Sequence, residues 1–221
     1  FQKIFQNSQY MNYFKNSFIV SFGCVAVVLL VALPSSFALS RYRFRGKMAM
    51  LTAVTPVQMF PIVVIMISLY TLYYKWGLLD TYTGLILANT AFAMPLAITL
   101  LKGFYDTVSN SLDEAARIDG AGRFQVLLKI LLPLILPGIV AVGTYTFLSA
   151  WDDYLLALIV MQKDSNITLT VGLARSFLGE YSNDYGSLMA FSLAGSMPIV
   201  LMFAFFQKFL ISGLTSGAVK G

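Results

Sequence analysis

The sequence predicts an all-α fold: a polytopic bundle of membrane-spanning helices. Three observations carry this. Of the 221 residues, 58% are hydrophobic and 11% charged, against roughly half apolar and a quarter charged in soluble domains, and the mean hydropathy is +0.76. Five segments of about 20 residues or more contain no charged side chain, and that length crosses a bilayer. The runs are continuous rather than alternating, which suits helices and not a β-barrel. One transmembrane domain, 1–221, is the natural division.

The five runs cover residues 18–39, 48–74, 81–101, 130–150 and 185–207. The second is the longest and holds Pro56 and Pro61, which predict a kink or tilt. Pro133 and Pro137 fall in the first turns of the fourth, where a missing N–H costs little. Pro95 and Pro198 lie inside the third and fifth and predict bends. The chain opens on Phe1, and a polar, aromatic stretch precedes the first run. No signal-peptide pattern is visible there, and one further span upstream is expected.

The connections orient the bundle. Residues 40–47, SRYRFRGK, carry four positive charges and no acid, which marks a cytoplasmic loop. Alternation then places 75–80 outside, 102–129 inside, 151–184 outside and the tail from Lys208 inside. The outer 151–184 segment carries Asp152, Asp153, Asp164, Glu180 and Asp184 against Lys163 and Arg175. Trp76, Tyr73, Tyr74, Tyr82, Trp151 and Tyr154 fall at the outer boundaries, as an aromatic belt would. Five spans and an inner C-terminus put Phe1 outside, and an upstream span restores an inner start.

Absent residues narrow the chemistry. No ionisable group lies within a span, whereas proton-coupled carriers and voltage sensors need such groups at membrane depth. There is no P-loop, no nucleophile–base pair and no channel-filter motif. With no His and a single Cys24 in an apolar run, no metal cluster or internal disulfide can form, and Cys24 reads as a small buried hydrophobe. No enzyme activity, metal, resident cofactor or nucleic-acid partner is expected. What remains is a bundle able to form a path, without an energy source of its own.

The 102–129 loop balances Lys102, Arg117, Arg123 and Lys129 against Asp106, Asp113, Glu114 and Asp119, so orientation is not its whole purpose. Ser111 and Glu114 have capping-box spacing, predicting a helix over 112–119 that Gly120 terminates. Ala115 and Ala116 give a low-profile face, and Leu112 and Ile118 supply apolar anchors. Gly120 and Gly122 permit a turn into a second amphipathic stretch, 124–130. Capping boxes are common, and an ordinary solvated connector reads equally well from spacing alone.

EAARIDGAG (114–122) followed by ILLPLILPGI (130–139) resembles the EAA motif of binding-protein-dependent ABC importer permeases. Across nearly its whole length the chain resembles the MalG-type carbohydrate permeases. NYFKNSFIVS (12–21) is similar to the start of that family's second span, and WDDYLLAL (151–158) to its Trp-Asn-Glu-Tyr/Phe-Leu-Leu stretch, with Asp152-Asp153 standing where Asn-Glu is usual. TLTVGLARSFLGEYSNDYGSLMA (168–190) and GLTSGAVKG (213–221) add to the likeness.

The resemblance implies a type I ABC importer permease fold in the bacterial cytoplasmic (inner) membrane, multi-pass, with a cytoplasmic C-terminus. It implies a coupling helix in which Ser111, Asp113, Glu114, Ala115, Ala116, Arg117, Ile118, Asp119 and Gly120 dock on a separate ATPase subunit. Glu114 would pair there with a basic residue, a contact worth about 1–3 kcal/mol if partly buried. The tail residues Ala218, Val219, Lys220 and Gly221 would reach between the ATPase subunits. The implied partners are a second, MalF-like permease, a homodimer of MalK-like ATPase subunits holding ATP and Mg, a periplasmic or lipid-anchored solute-binding protein, a sugar and membrane lipid.

The outer segment 151–184 is long and patterned, and long ordered loops are commonly functional. By resemblance it contacts the solute-binding protein, with Thr168, Leu173, Phe177, Gly179 and Tyr181 as candidates; a passive cap over the bundle is the alternative. Sugar paths need hydrogen-bonding and aromatic side chains, and Gln58, Asn89, Thr90, Tyr145, Thr146 and Ser149 supply them within the spans, although polar residues there commonly bond a neighbouring helix. The function expected is a permease subunit of an ATP-driven sugar or oligosaccharide importer. The alternatives are an ABC importer permease for a non-sugar solute and a membrane scaffold without a transport role.

Overall fold

The computed structural model describes residues 6–54, 61–177 and 185–218. Ten helices follow one another among them, and no strand is present among the described residues: α1 (Ser8–Arg41), α2 (Lys47–Val54), α3 (Ile62–Trp76), α4 (Tyr82–Thr107), α5 (Asn110–Ile118), α6 (Arg123–Leu134), α7 (Leu136–Trp151), α8 (Leu155–Val160), α9 (Leu169–Phe177) and α10 (Tyr185–Ala218).

Three of these, α1, α4 and α10, are long and apolar enough to cross a membrane, and α6 with α7 makes a fourth when the pair counts as one span bent by 79°. The expected 48–74 span is represented by α2 and α3; residues 55–60, with Pro56 and Gln58, lie outside the described residues. The α6–α7 bend sits at Ile135, between Pro133 and Pro137. Residues 126–131 of α6 adopt a π-helical turn, a further irregularity of the kind that bends helices. Pro95 and Pro198 lie within continuous helices.

The helix α1 starts about ten residues before its apolar run. Asn7 caps it, accepting a hydrogen bond from the Gln9 N–H. The extension buries one face, with Tyr13, Asn16 and Ser17 turned inward. Thr81 caps α4 by accepting from the Gly84 N–H at 3.0 Å. Both helices pack against each other and against α7. Two apolar clusters fill the contact. The one named outer, after the orientation that the charge pattern predicts, gathers Tyr13, Leu85, Phe147, Trp151, Ile167 and Phe191, with aromatic rings of α1 and α7 in edge-on, tilted and stacked pairs. The inner one gathers Val28, Ala97, Leu101, Tyr105, Val126 and Leu131.

Close approach at one glycine seats α9 on α1. A Cβ at Gly172 would overlap the ring of Tyr13, which is almost wholly buried. Gly172→Ala is expected to destabilise the chain by about 1–3 kcal/mol, the usual range for overpacking, and to lower its melting temperature in detergent. A melting temperature equal to wild type would mean that Tyr13 can move aside.

Candidate functional site

At the end of the bundle that the charge pattern predicts to be cytoplasmic, a short helix, α5, stands largely exposed. Only Val108 and Ser109 separate α4 from α5. Ser109, not Ser111, is the cap: its side chain accepts from the Ser111 N–H at 3.3 Å. The helix therefore begins at Asn110, two residues earlier than the capping-box reading, and Glu114 stands too far along it to reach back to the cap. At the other end the prediction holds. Gly120 has φ +83°, the left-handed turn that favours glycine. Its N–H donates to the Arg117 carbonyl at 3.1 Å and the Ala121 N–H donates to the Ala116 carbonyl at 2.9 Å. This pair of bonds is the Schellman ending.

The faces of α5 divide differently from the sequence reading. Ala116 is buried and packs into the inner cluster, so it presents no surface to a partner. Asp113 also turns inward, its carboxylate 2.8 Å from Arg41 Nε. Consecutive helical residues stand about 100° apart, which is why Ala115 is exposed while Ala116 is not. The outward face carries Ser111, Leu112, Glu114, Ala115, Arg117, Ile118 and Asp119. Ile118 is 86% exposed, and the nearby Phe124 is 70% exposed. Together with Leu112 they leave apolar surface open on and beside a helix that is otherwise polar, which makes this face a candidate contact surface.

At the other end of the bundle, polar side chains fasten the outer segment. Asn16 Nδ2 donates to the carbonyls of Ser165 (2.9 Å) and Ile167 (2.8 Å), and its Oδ1 accepts from the Tyr82 hydroxyl at 2.7 Å. Ser17 Oγ accepts from the Leu169 N–H. Asp80, with φ +61°, accepts from the backbone N–H groups of Gln162 and Lys163 and pairs with the Lys163 ammonium at 3.2 Å. Burial pulls the Asp80 carboxyl upward, but those N–H groups and the ammonium outweigh it and hold it below the ordinary carboxylate range. Asp153 caps α8, accepting from the Leu156 and Ala157 N–H groups and from Asn89 Nδ2. Burial raises its carboxyl above the usual range against the pull of those donors, and the neighbouring Asp152 charge adds to the rise.

These ties correct two expectations for the outer segment. Thr168 and Phe177 are buried, Phe177 against Tyr10 and Phe191, and neither is open to a binding protein. Leu173 is half-buried, and Gly179 and Tyr181 lie outside the described residues. Among the described residues it exposes Asp152, Tyr154, Gln162, Lys163, Asp164, Ser165 and Arg175.

The path candidates divide as well. Asn89, Thr90 and Thr146 are buried within the bundle, and Asn89 spends its amide on Leu85 and Asp153. Asn89 thereby ties α4 to the segment after α7, whereas the buried hydroxyls of Thr90 and Thr146 have no hydrogen-bond partner among the described residues; all three are enclosed by packing within this chain. Tyr145 is half-buried and Ser149 exposed; Gln58 lies outside the described residues, as do the tail residues Val219, Lys220 and Gly221, while Ala218 ends α10. Spacing did not mark Asn16, Arg41 or Asp80 as important. Their one sequence signal is position, each polar at the edge of an apolar run.

Comparison with known proteins agrees with this architecture. Residues 29–216 match the family described as binding-protein-dependent transport system inner membrane component. The chain is 37% identical over 214 residues to the inner membrane ABC transporter permease protein YcjP of Escherichia coli K12, covering 96% of this chain and 75% of that protein. It is 32% identical to the maltodextrin transport system permease protein MdxG of Bacillus subtilis, covering all of this chain and 80% of that one. It is 34% identical to the trehalose transport system permease protein SugB of Mycobacterium tuberculosis, with 100% and 81% covered. Among solved structures, a bacterial ABC transporter that imports the acidic polysaccharide alginate superposes with a TM-score of 0.82 at 23% identity, over 94% of this chain and 77% of that one, a likeness of fold. A family match across most of the chain, and relatives above 30% identity along nearly its whole length, establish that this chain belongs to the binding-protein-dependent transport system inner membrane components.

Proposed function

We propose that the chain is the transmembrane permease subunit of an ATP-driven sugar or oligosaccharide importer, forming the translocation path together with a second permease. The observation that carries this is α5: a short helix with defined ends whose outward face exposes Leu112 and Ile118, on the side that the charge pattern predicts to be cytoplasmic. Covering Ile118 with a partner surface would contribute about 1.5–3 kcal/mol, and the exposed Glu114 is available to a basic residue.

In this reading ATP and Mg are bound by a dimer of ATPase subunits, each permease offering its coupling helix to one of them. Closure of the ATPases on ATP moves α5 and opens the cavity outward, solute enters from a binding protein docked on the outer segment, and hydrolysis resets the inward state. The C-terminus lies on the cytoplasmic side, and the tail 218–221 enters between the ATPase subunits. The sugar assignment rests on similarity to permeases named for maltodextrin and trehalose transport.

The test is gentle extraction of the chain from its native membrane. A P-loop ATPase is expected to accompany it, and cells lacking the gene are expected to lose uptake of labelled maltodextrin or trehalose. Extraction without any nucleotide-hydrolysing subunit would favour a scaffold. Unchanged uptake of both sugars with impaired uptake of another solute would move the chain to a non-sugar importer.

A further inference from the structure

The end of α1 grips the start of α5. Arg41, the last residue of α1, donates from Nη1 to Asn110 Oδ1 at 2.7 Å and from Nη2 to the Val108 carbonyl at 2.9 Å, and its Nε stands 2.8 Å from the Asp113 carboxylate. Its side chain is 8% exposed and that of Asp113 16%. One guanidinium thus contacts the turn before α5, its first residue and its fourth. Beside it, Arg123, which begins α6, stacks over the Tyr42 ring at 5.2 Å, and Ser40 Oγ donates to Asp106 at the end of α4. The two residues before α5 and the four after it are not helical.

We propose that Arg41 is a positioning residue that fastens the docking helix to α1, so that movement of α5 is delivered to α1 as well as to the two spans it is covalently joined to. This rests on the reading of α5 as the ATPase-docking helix. Chain connectivity links α5 to α4 and α6 only. Arg41 adds α1, a residue 69 positions from Asn110 in sequence. The continuous helix α1 then runs about 38 Å, at 1.5 Å per residue, to Asn16 and Ser17, which hold the backbone of residues 165–169 in the outer segment. A rod anchored at both ends joins the two surfaces that an external motor and an external donor protein would use.

The chemistry suits fastening more than stability. A buried ion pair repays its desolvation poorly, and well-packed apolar residues commonly serve stability as well. What the planar guanidinium supplies is direction, several donors in a fixed fork. A lysine would keep the charge beside Asp113 and lose the fork.

The experiment uses the complete transporter, purified with its ATPase subunits and reconstituted in lipid vesicles, with its solute-binding protein exposed to maltodextrin and to trehalose as probes. Two quantities are read: ATPase subunit retained per permease, and stimulation of ATP hydrolysis by the binding protein. Arg41→Gln is expected to retain the ATPase at wild-type occupancy while stimulation falls tenfold or more. Arg41→Lys and Asn110→Ala, milder changes that leave the charge pair, are expected to fall about threefold, and they decide the matter if Arg41→Gln does not accumulate in the membrane. The exchanged pair, Arg41→Asp with Asp113→Arg, is expected to recover at least part of what Arg41→Asp loses. Wild-type stimulation in Arg41→Gln, or in both milder variants, overturns the fastening role and leaves the docking reading intact. An exchanged pair no better than Arg41→Asp overturns it too. Absence of any ATPase from the wild-type preparation instead removes the docking reading on which it stands.

Discussion

With proline in place of Gly120, ATP-driven uptake of labelled maltodextrin or trehalose is expected to fall to background while the chain still inserts in the membrane. Gly120 has φ +83°, and proline holds φ near −65°. The substitution also deletes the N–H that donates to the Arg117 carbonyl at 3.1 Å, and it drives the preceding Asp119 from its φ −74°, ψ 6° conformation toward extended backbone. The last turn of α5 then unwinds, and that turn carries Ile118, the most exposed apolar side chain of the proposed docking face. Space is not the issue, because no heavy atom lies within 4 Å of a Cβ built at Gly120; the cost is in the backbone alone. Gly120→Asn, which tolerates a left-handed turn, is therefore expected to keep most of the uptake, and Gly120→Ala to lose about 1–2 kcal/mol of the local structure. Wild-type transport by the proline variant would show that α5 does not couple the bundle to its motor.

At the opposite end, Asn16→Leu is expected to cause the largest loss of stability of any single change at the outer end. Asn16 is almost fully buried and serves three partners: the carbonyls of Ser165 and Ile167 and the hydroxyl of Tyr82. Leucine has nearly the same volume but leaves all three without their bond. The Ile167 bond is buried and the other two partly so; an orphaned buried group costs about 1–3 kcal/mol and one that water reaches costs less, so a total of about 2–4 kcal/mol is expected, seen as a lower melting temperature in detergent. Asn16→Asp should fare no better, since a carboxylate offers acceptors to two carbonyls that need donors. The released segment should also be cut faster by trypsin at the exposed Lys163. Unchanged melting and cleavage would assign the hold on the outer segment to Asp80 and Ser17 alone.

Much of this architecture was legible in the chain. Charge-free runs marked α1, α4, α7 and α10, because a helix in lipid must be apolar along a full crossing. Gly120 was readable as a helix end because a left-handed residue there costs glycine nothing. The capping residue was misread by two positions, since Ser109 and Ser111 are both competent caps and the choice depends on where α4 releases the chain. The helix content, the Gly120 ending and the family likeness all came from local composition and motif order, properties that a sequence states outright.

The direction in which each side chain points was a matter of packing. Asn89, Thr90 and Thr146 looked like a path and proved to be internal; Ala116, Thr168 and Phe177 looked like contact surface and proved to be buried. Membrane helices are apolar on every side, so periodicity cannot separate the face toward lipid from the face toward a neighbouring helix. Arg41 read as one positive charge among four in a topology signal. Its grip on Asn110, and that of Asn16 on residues about 150 positions away, exist because α1 lies along α4 and α7, and no local pattern encodes which helices will meet.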